Sequence, residues 1–238
     1  MQTNESISVD CVILGFDGTS LKCLLTDRGK QDYKLPGSMI LQNEDITSAA
    51  YRVLAELTGL QDVFLQELSV FSDPKRVTGD ELAWINQFYR INTTRVVTVA
   101  YYALVKLSGQ MLMYTNANNA VWKDVQEIHS LAMDHKSILT DALATLNRNF
   151  LQSPIAFELL PKKFTIRELE NLYKAVLGVD IDNRNFRKKI LDCGYIVCTG
   201  EREKNVPHKP AFFYTFDKNK YKKEQKRTFK LNFINWHY

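Results

Sequence analysis

The stretch Leu35–Leu60 reads LPGSMILQNEDITSAAYRVLAELTGL. Pro36-Gly37 marks a tight turn, a short strand follows it, and a polar loop ends at Glu44. From Ile46 onward apolar residues fall at 46, 49, 50, 53, 54 and 57. That is helical spacing with a wide buried stripe. Glu44 and Asp45 stand where a helix N-terminus favours negative charge, and Gly59 provides the C-terminal stop.

On the N-terminal side, Ile7–Phe16 and Leu21–Thr26 are apolar runs separated by Asp17-Gly18-Thr19-Ser20, which predicts a hairpin. On the C-terminal side, Val63–Phe71 predicts a strand. Ser72–Thr94 is polar and poorly periodic, with Leu82, Trp84, Ile85, Phe88 and Tyr89 gathered in its middle. A segment of that length has a role or contains a short helix of its own. Its aromatic residues suit either stacking on a ligand or packing against the domain or a partner. Arg95–Lys106 is the strongest strand and belongs in a sheet interior. Met111–Thr115 and Ala120–Trp122 read as shorter strands. His135–Leu151 reads as a helix with Asp134 as its cap. For His135, a structural hydrogen bond at the helix start is favoured over a catalytic role.

The chain has 238 residues, enough for one large domain or two ordinary ones. No apolar run approaches the roughly 20 residues that cross a bilayer, and the N-terminus has no signal-peptide pattern. A cytoplasmic protein without a membrane partner is expected. Cys11, Cys23, Cys193 and Cys198 are scattered, as free thiols in a reducing compartment would be. They do not form a zinc-binding pattern. Lys plus Arg number 13 and Asp plus Glu 17 over residues 1–150, a net −4. Over residues 151–238 they number 18 and 10, a net +8. Two domains with different partners follow from that asymmetry, with the boundary expected at Pro154, dividing 1–153 from 154–238.

The basic half begins with an element at Ile155–Leu160, closed by Pro161. Thr165 and Glu168 form a capping box for a helix that runs to Gly178. Asp182 or Asn183 caps a second helix ending near Cys193. Tyr195–Thr199 and Phe212–Phe216 are strands flanking the basic hairpin Gly200–Pro210. Helix, helix, strand, hairpin, strand is the order of a winged helix-turn-helix, whose second helix enters the major groove. In that helix Phe186, Ile190 and Cys193 fall on one side. Arg184, Asn185, Arg187 and Lys188 lie mainly on the others, with Lys189 between, while Leu191 projects near the basic side. Arg and Asn suit guanine and adenine edges, and Lys suits phosphates. Arg202, Lys204, His208 and Lys209 would form a wing on the DNA backbone, and Thr165 is placed with them as a DNA-binding candidate. The tail residues Phe229, Leu231, Phe233, Trp236 and Tyr238 read as a strand or docking segment.

Leu35–Leu60 resembles the Nudix box of the Nudix hydrolases without a gap, through Ser38, Glu44, Arg52, Val53, Leu54, Ala55, Glu56, Leu57, Thr58 and Gly59. In active Nudix hydrolases the positions of Val53 and Leu57 carry glutamates. Two carboxylates four residues apart share a helix face and can chelate a hard divalent ion. Valine and leucine offer no oxygen. A Nudix fold without hydrolysis is therefore expected, with no catalytic residue, metal site or cofactor. Together the two halves resemble the Nudix-related transcriptional regulators. Further carriers are the Arg95–Leu104 strand, Asp134-His135, Leu159-Leu160-Pro161, Phe164-Thr165 and Asn185–Lys189. The resemblance implies an α+β protein, a Nudix-fold α/β/α sandwich followed by a winged helix-turn-helix. It implies a homodimer on a palindromic double-stranded operator, acting as a repressor that senses a sugar or ADP-ribose-like nucleotide. Candidate effector-binding residues are Lys34, Gly37, Glu44, Arg52, Glu56 and Arg95. The competing readings are a magnesium-dependent hydrolase of a nucleoside diphosphate derivative using Glu44 and Glu56, and a non-enzymatic RNA-binding or scaffold protein.

Overall fold

The computed structural model describes residues 3–29, 31–207 and 209–224. Two compact units emerge, one running to Thr145 and the other from Leu146, with the turn Phe16–Ser20 grouped with the second. The first unit holds a seven-stranded sheet built from β1 (Thr3–Phe16), β2 (Leu21–Asp27), β3 (Tyr33–Lys34), β4 (Gly37–Leu41), β5 (Phe64–Phe71), β6 (Val97–Lys106) and β7 (Ala120–Asp124). Its main path is β3-β2-β1-β6-β5, with β4 antiparallel to β1 and β7 antiparallel to β2. β6 is interior, as its apolar run requires, and eight consecutive residues of it are buried.

The helix α1 (Ile46–Thr58) forms where the apolar spacing predicts it. The Asp45 carboxylate accepts from Ser48 N–H at 2.9 Å, and Gly59 closes the helix in the left-handed region at φ 71°. The buried stripe of Ala49, Ala50, Val53 and Leu54 packs on Val9, Cys11, Ile13, Leu24, Tyr101, Ala103 and Val105. Leu57 packs against the same cluster.

Ser72–Thr94 contains α2 (Gly79–Tyr89). One expectation fails. Met111–Thr115 lies inside the helix α3 (Gly109–Ala117), not in a strand. Ser108 precedes it, and its hydroxyl accepts from Met111 N–H at 3.2 Å. Methionine, leucine and glutamine are also good helix formers. The short apolar run had no alternation to specify a strand. α4 (His135–Gln152) begins in the first unit and ends in the second. Asp134 stands at its head with its carbonyl accepting from Ile138 N–H, while its carboxylate is turned to Arg76.

The second unit continues with α5 (Ala156–Leu159), α6 (Ile166–Leu177), α7 (Asn183–Asp192), β8 (Ile196–Arg202), β9 (Phe212–Phe216) and α8 (Lys218–Glu224). The capping box of Thr165 and Glu168 is present in both directions. Tyr173 lies edge-on to Phe150 and Phe186, with centroids 4.7 and 5.4 Å away, and the three rings are fully buried. Phe164 exchanges backbone hydrogen bonds with Tyr214, at 3.0 and 2.7 Å, so the segment before α6 pairs with the β8–β9 hairpin. β8 extends three residues beyond the predicted Thr199, to Arg202. The predicted tail element at Phe229–Tyr238 lies outside the described residues, as does His208.

Candidate effector pocket and DNA-facing helix

A pocket with about 360 Å³ of empty space opens in the first unit between β1, β4, β6 and α2. Its polar wall is Ser8, Asp10, Lys34, Ser38, Thr98, Arg76 and His135, and its apolar wall includes Met39, Trp84, Ile85, Tyr89 and Met133.

Local structure explains how this wall is held. The β1–β4 register sets Gly37 opposite Asp10. A Cβ at Gly37 would stand 1.9 Å from Asp10 Oδ1 and 2.7 Å from the Val9 carbonyl oxygen, so the close strand approach needs glycine. Arg76 is buried and donates to both Asp134 carboxylate oxygens at 2.8 and 2.7 Å. It also donates to Thr98 Oγ1 at 2.9 Å, and Asp10 Oδ2 is 3.8 Å from its Nη2. Thr98 in turn is hydrogen-bonded to Ser8.

His135 Nδ1 accepts from Leu35 N–H at 2.9 Å, which places the imidazole proton on Nε2, 3.7 Å from Asp10 Oδ2. Burial holds its pKa below the ordinary 6.5, with Asp10 opposing. The histidine is therefore a neutral, structural group, as expected from its place at the helix start. Lys34 is half-buried and donates to the carbonyls of Leu35 and Gly37 at 3.1 and 3.4 Å. Desolvation lowers its pKa and Asp10 opposes the shift.

Of the candidate effector residues, the structure brings Lys34 and Gly37 to this pocket. Glu44, in the loop before α1, stands with Arg52 and Glu56 of α1 outside the pocket lining, and Arg52 donates to the carbonyl of the pocket residue Met39 at 3.4 Å. Glu44 accepts from Arg52 Nε and Nη2, both at 2.8 Å, and this hydrogen bonding keeps its carboxyl below the usual range. Arg52 Nη1 lies 3.5 Å from the exposed Glu56. Arg95 is exposed and donates to the Ser72 carbonyl at 2.8 Å. Neither arginine lines the pocket. Sequence reasoning missed Asp10, Arg76 and Thr98. Asp10 had a signal, the one acid in the apolar run Ile7–Phe16, whereas Arg76 sits in a loop without pattern.

Trp84 and Tyr89, flagged as aromatic candidates, do line the pocket. Trp84 is stacked on Phe88 at 4.9 Å, and the Arg28 guanidinium lies over its ring at 4.8 Å.

In the second unit, the predicted division of α7 is met. Phe186 and Ile190 are buried, while Arg184, Asn185, Arg187 and Lys188 are exposed. Lys189 and Leu191 are half-buried. Asp182 caps the helix by accepting from Asn185 N–H at 2.6 Å. On the hairpin, Arg202, Lys204 and Lys209 are exposed, with Arg202 stacked 3.9 Å over the Phe212 ring. Thr165 differs from these. It is 3% exposed and its hydroxyl is spent on the capping box. It supports the frame of the basic surface and is not part of it.

Residues 156–216 match the family model of the NrtR DNA-binding winged helix domain. The chain is 27% identical over 218 residues to the ADPR responsive transcriptional repressor NtrR of Acinetobacter baylyi, covering 88% of this chain and 81% of the relative. It resembles the crystal structure of Shewanella oneidensis NrtR complexed with a 27mer DNA at TM-score 0.74 and 22% identity, covering 96% of this chain and 99% of that one. A MutT/nudix family protein from Enterococcus faecalis matches at TM-score 0.60 and 24% identity, covering 90% of this chain and 88% of that one. Among the described residues no helix is long and apolar enough to cross a membrane. The chain joins a Nudix-fold domain to a winged helix domain.

Proposed function

We propose that this chain is a DNA-binding transcriptional repressor whose Nudix-fold domain binds a sugar-containing metabolite and leaves it intact. The observation that carries the reading is α7. Phe186 and Ile190 fix the helix in its domain, and Arg184, Asn185, Arg187 and Lys188 project outward from it. Arginine and asparagine at exposed recognition-helix positions suit bidentate readout of guanine and adenine. The exposed Arg202, Lys204 and Lys209 suit phosphate contacts that set register without reading sequence. The match of residues 156–216 and the relative's name as a transcriptional repressor support the same reading. A homodimer on a palindromic operator would follow from two such helices spaced by one helical turn or a multiple of it.

The pocket supports sensing. The polar wall includes the hydroxyls of Ser8, Ser38 and Thr98 and the Asp10 carboxylate, with Thr98 engaged by both Arg76 and Ser8 and Ser38 donating to the Met39 carbonyl. Hydroxyls and a carboxylate beside aromatic residues suit the hydroxyls of a sugar ring. The ring could belong to a free sugar or to the ribose of an ADP-ribose-like nucleotide, and the A. baylyi relative is named as ADPR responsive.

Binding without turnover rests on the donor set along α1. Val53 is 3% exposed in the apolar core and Leu57 packs beside it. Glu44 is engaged by Arg52 on both oxygens. Glu56 stands exposed with Arg52 3.5 Å away. These residues do not fit a magnesium site, which needs carboxylate oxygens converging on the ion. Neither catalytic nor metal-ligating roles are assigned to them.

The test of the DNA reading uses duplex DNA from upstream of the chain's own gene. Arg187→Ala should lose roughly 1–3 kcal/mol of discrimination between that duplex and an unrelated one. Equal binding of both duplexes by the unmodified chain would sink the proposal. For the ligand, a thermal-shift screen of free sugars, ADP-ribose and other nucleotides should give stabilisation by one of these classes, because a ligand of the folded state must stabilise it.

A further inference from the structure

The matched winged helix domain ends at Phe216, and α8 begins two residues later. The helix is LysAsnLysTyrLysLysGlu, Lys218–Glu224. Asp217 accepts from the N–H groups of Asn219 and Lys220 at 3.0 and 2.9 Å, so the turn into the helix is specified by sequence. Tyr221 is 8% exposed. Its ring meets Tyr195 edge-on at 5.3 Å and Phe216 at 5.6 Å. The Asp217 N–H also donates to the Tyr195 carbonyl at 2.9 Å. Tyr195 is the third residue after α7, so α8 is anchored where the chain leaves the DNA-facing helix.

With Tyr221 turned inward, helical geometry puts Lys220, Lys222 and Lys223 on the remaining surface, and all three are exposed. Lys218 is 3.6 Å from Glu158, whereas the other three have no ion pair among the described residues. Such a cluster is common as a solvated face. Here two features argue against that reading. A short helix carrying three lysines without an ion pair among the described residues has little intrinsic stability, yet it is held by a buried tyrosine and a cap. It also lies at the base of the β8–β9 hairpin, since Ile196 pairs with Phe216 there and Arg202 pairs with Phe212 toward the tip. Seven strand residues span about 20 Å, so α8 and the hairpin tip are separate cationic points.

We infer that α8 is a second phosphate-contacting element, with Lys220, Lys222 and Lys223 gripping the duplex backbone away from the hairpin tip. The inference rests on the DNA-binding reading and adds a contact outside the matched domain. Contacts of this kind position the protein and carry no sequence information.

The experiment measures the dependence of DNA affinity on salt for three full-length proteins: the unmodified chain, Lys220→Gln/Lys222→Gln/Lys223→Gln, and Lys204→Gln. Each phosphate contact contributes about 0.9 to the slope of log K against log salt. The triple variant should flatten the slope by about 2–3, equally on upstream and unrelated duplexes. The Lys204→Gln effect should add to it, because the sites are far apart. A slope unchanged by the triple variant, with its circular dichroism spectrum and melting point retained, overturns the inference and leaves the DNA reading intact. Failure of the unmodified chain to bind any duplex overturns both.

Discussion

Removing the carboxylate of Asp134 should destabilise the Nudix-fold domain more than most single changes. Arg76 has a side chain 3% exposed, and Asp134 supplies two of its three short hydrogen bonds. Breaking a buried ion pair by deleting one partner typically costs 3–5 kcal/mol, because the other charge stays buried. Two features here reduce that figure. Asp134 is 20% exposed, so water can reach the gap, and Asp10 is only 3.8 Å from the guanidinium and can move in. We therefore expect about 3 kcal/mol for Asp134→Ala. At about 3 °C per kcal/mol for a domain of this size, the first unit should melt roughly 10 °C lower. Arg76→Met alone should cost less, since the remaining carboxylate is nearer solvent. The double variant Arg76→Met/Asp134→Leu should recover much of the loss, because apolar replacement of a buried pair is often neutral. Calorimetry that separates the two units would follow this double-mutant cycle. A loss under about 1 kcal/mol for Asp134→Ala, or a double variant as unstable as the sum of the singles, would refute the reasoning.

Three other outcomes follow from the same structure. Val53→Glu restores the Nudix glutamate but puts a carboxylate into an apolar cluster. It should cost on the order of 3–5 kcal/mol without producing magnesium-dependent turnover of ADP-ribose, as denaturant unfolding and a hydrolysis assay would show. His135 takes its sign from burial. Its folded pKa lies below 6.5, so the unfolded chain binds a proton that the fold excludes. Its contribution to stability should be independent of pH above about 6.5 and fall below that, by at most about 1.4 kcal/mol per pH unit. The groups facing it, Asp10, Lys34, Asp134 and Arg76, act in opposing directions. Comparing stability against pH for His135→Asn, which lacks that proton site, should isolate the effect. Thr165→Ala should lower stability by about 1 kcal/mol through loss of the cap. It should leave sequence discrimination unchanged, in contrast to Arg187→Ala, and a DNA competition assay separates the two.

Where the sequence was legible, one element type was favoured by several local signals at once. α1 had apolar spacing, an acidic start and a terminal glycine, and all three features recur in the structure. The winged helix likewise followed from a capping box, two amphipathic helices and a basic hairpin. Met111–Thr115 had only a short apolar run, which fits a strand or a helix equally, and the Ser108 cap decided it. The pocket was less legible because it is tertiary. Asp10, Arg76 and Asp134 are far apart in the chain and meet only when β1, the loop before α2 and the head of α4 come together. The Arg52 to Glu44 bond spans eight residues between a loop and a helix, a distance no local spacing rule flags, whereas the Arg52–Glu56 contact lies at ordinary helical spacing. Thr165 shows the converse. Its motif was read correctly as a cap, and its burial takes it off the surface.

The most direct test of the account is anisotropy of a labelled upstream duplex bound to the full-length chain, titrated with sugars or ADP-ribose in the presence of magnesium, with the ligand analysed afterwards. A repressor that senses its ligand without turning it over must bind the duplex tightly, change affinity with one of these ligands, and return that ligand unchanged. Hydrolysis of the ligand at a catalytic rate, or affinity for the duplex that no such ligand alters, would contradict that reading.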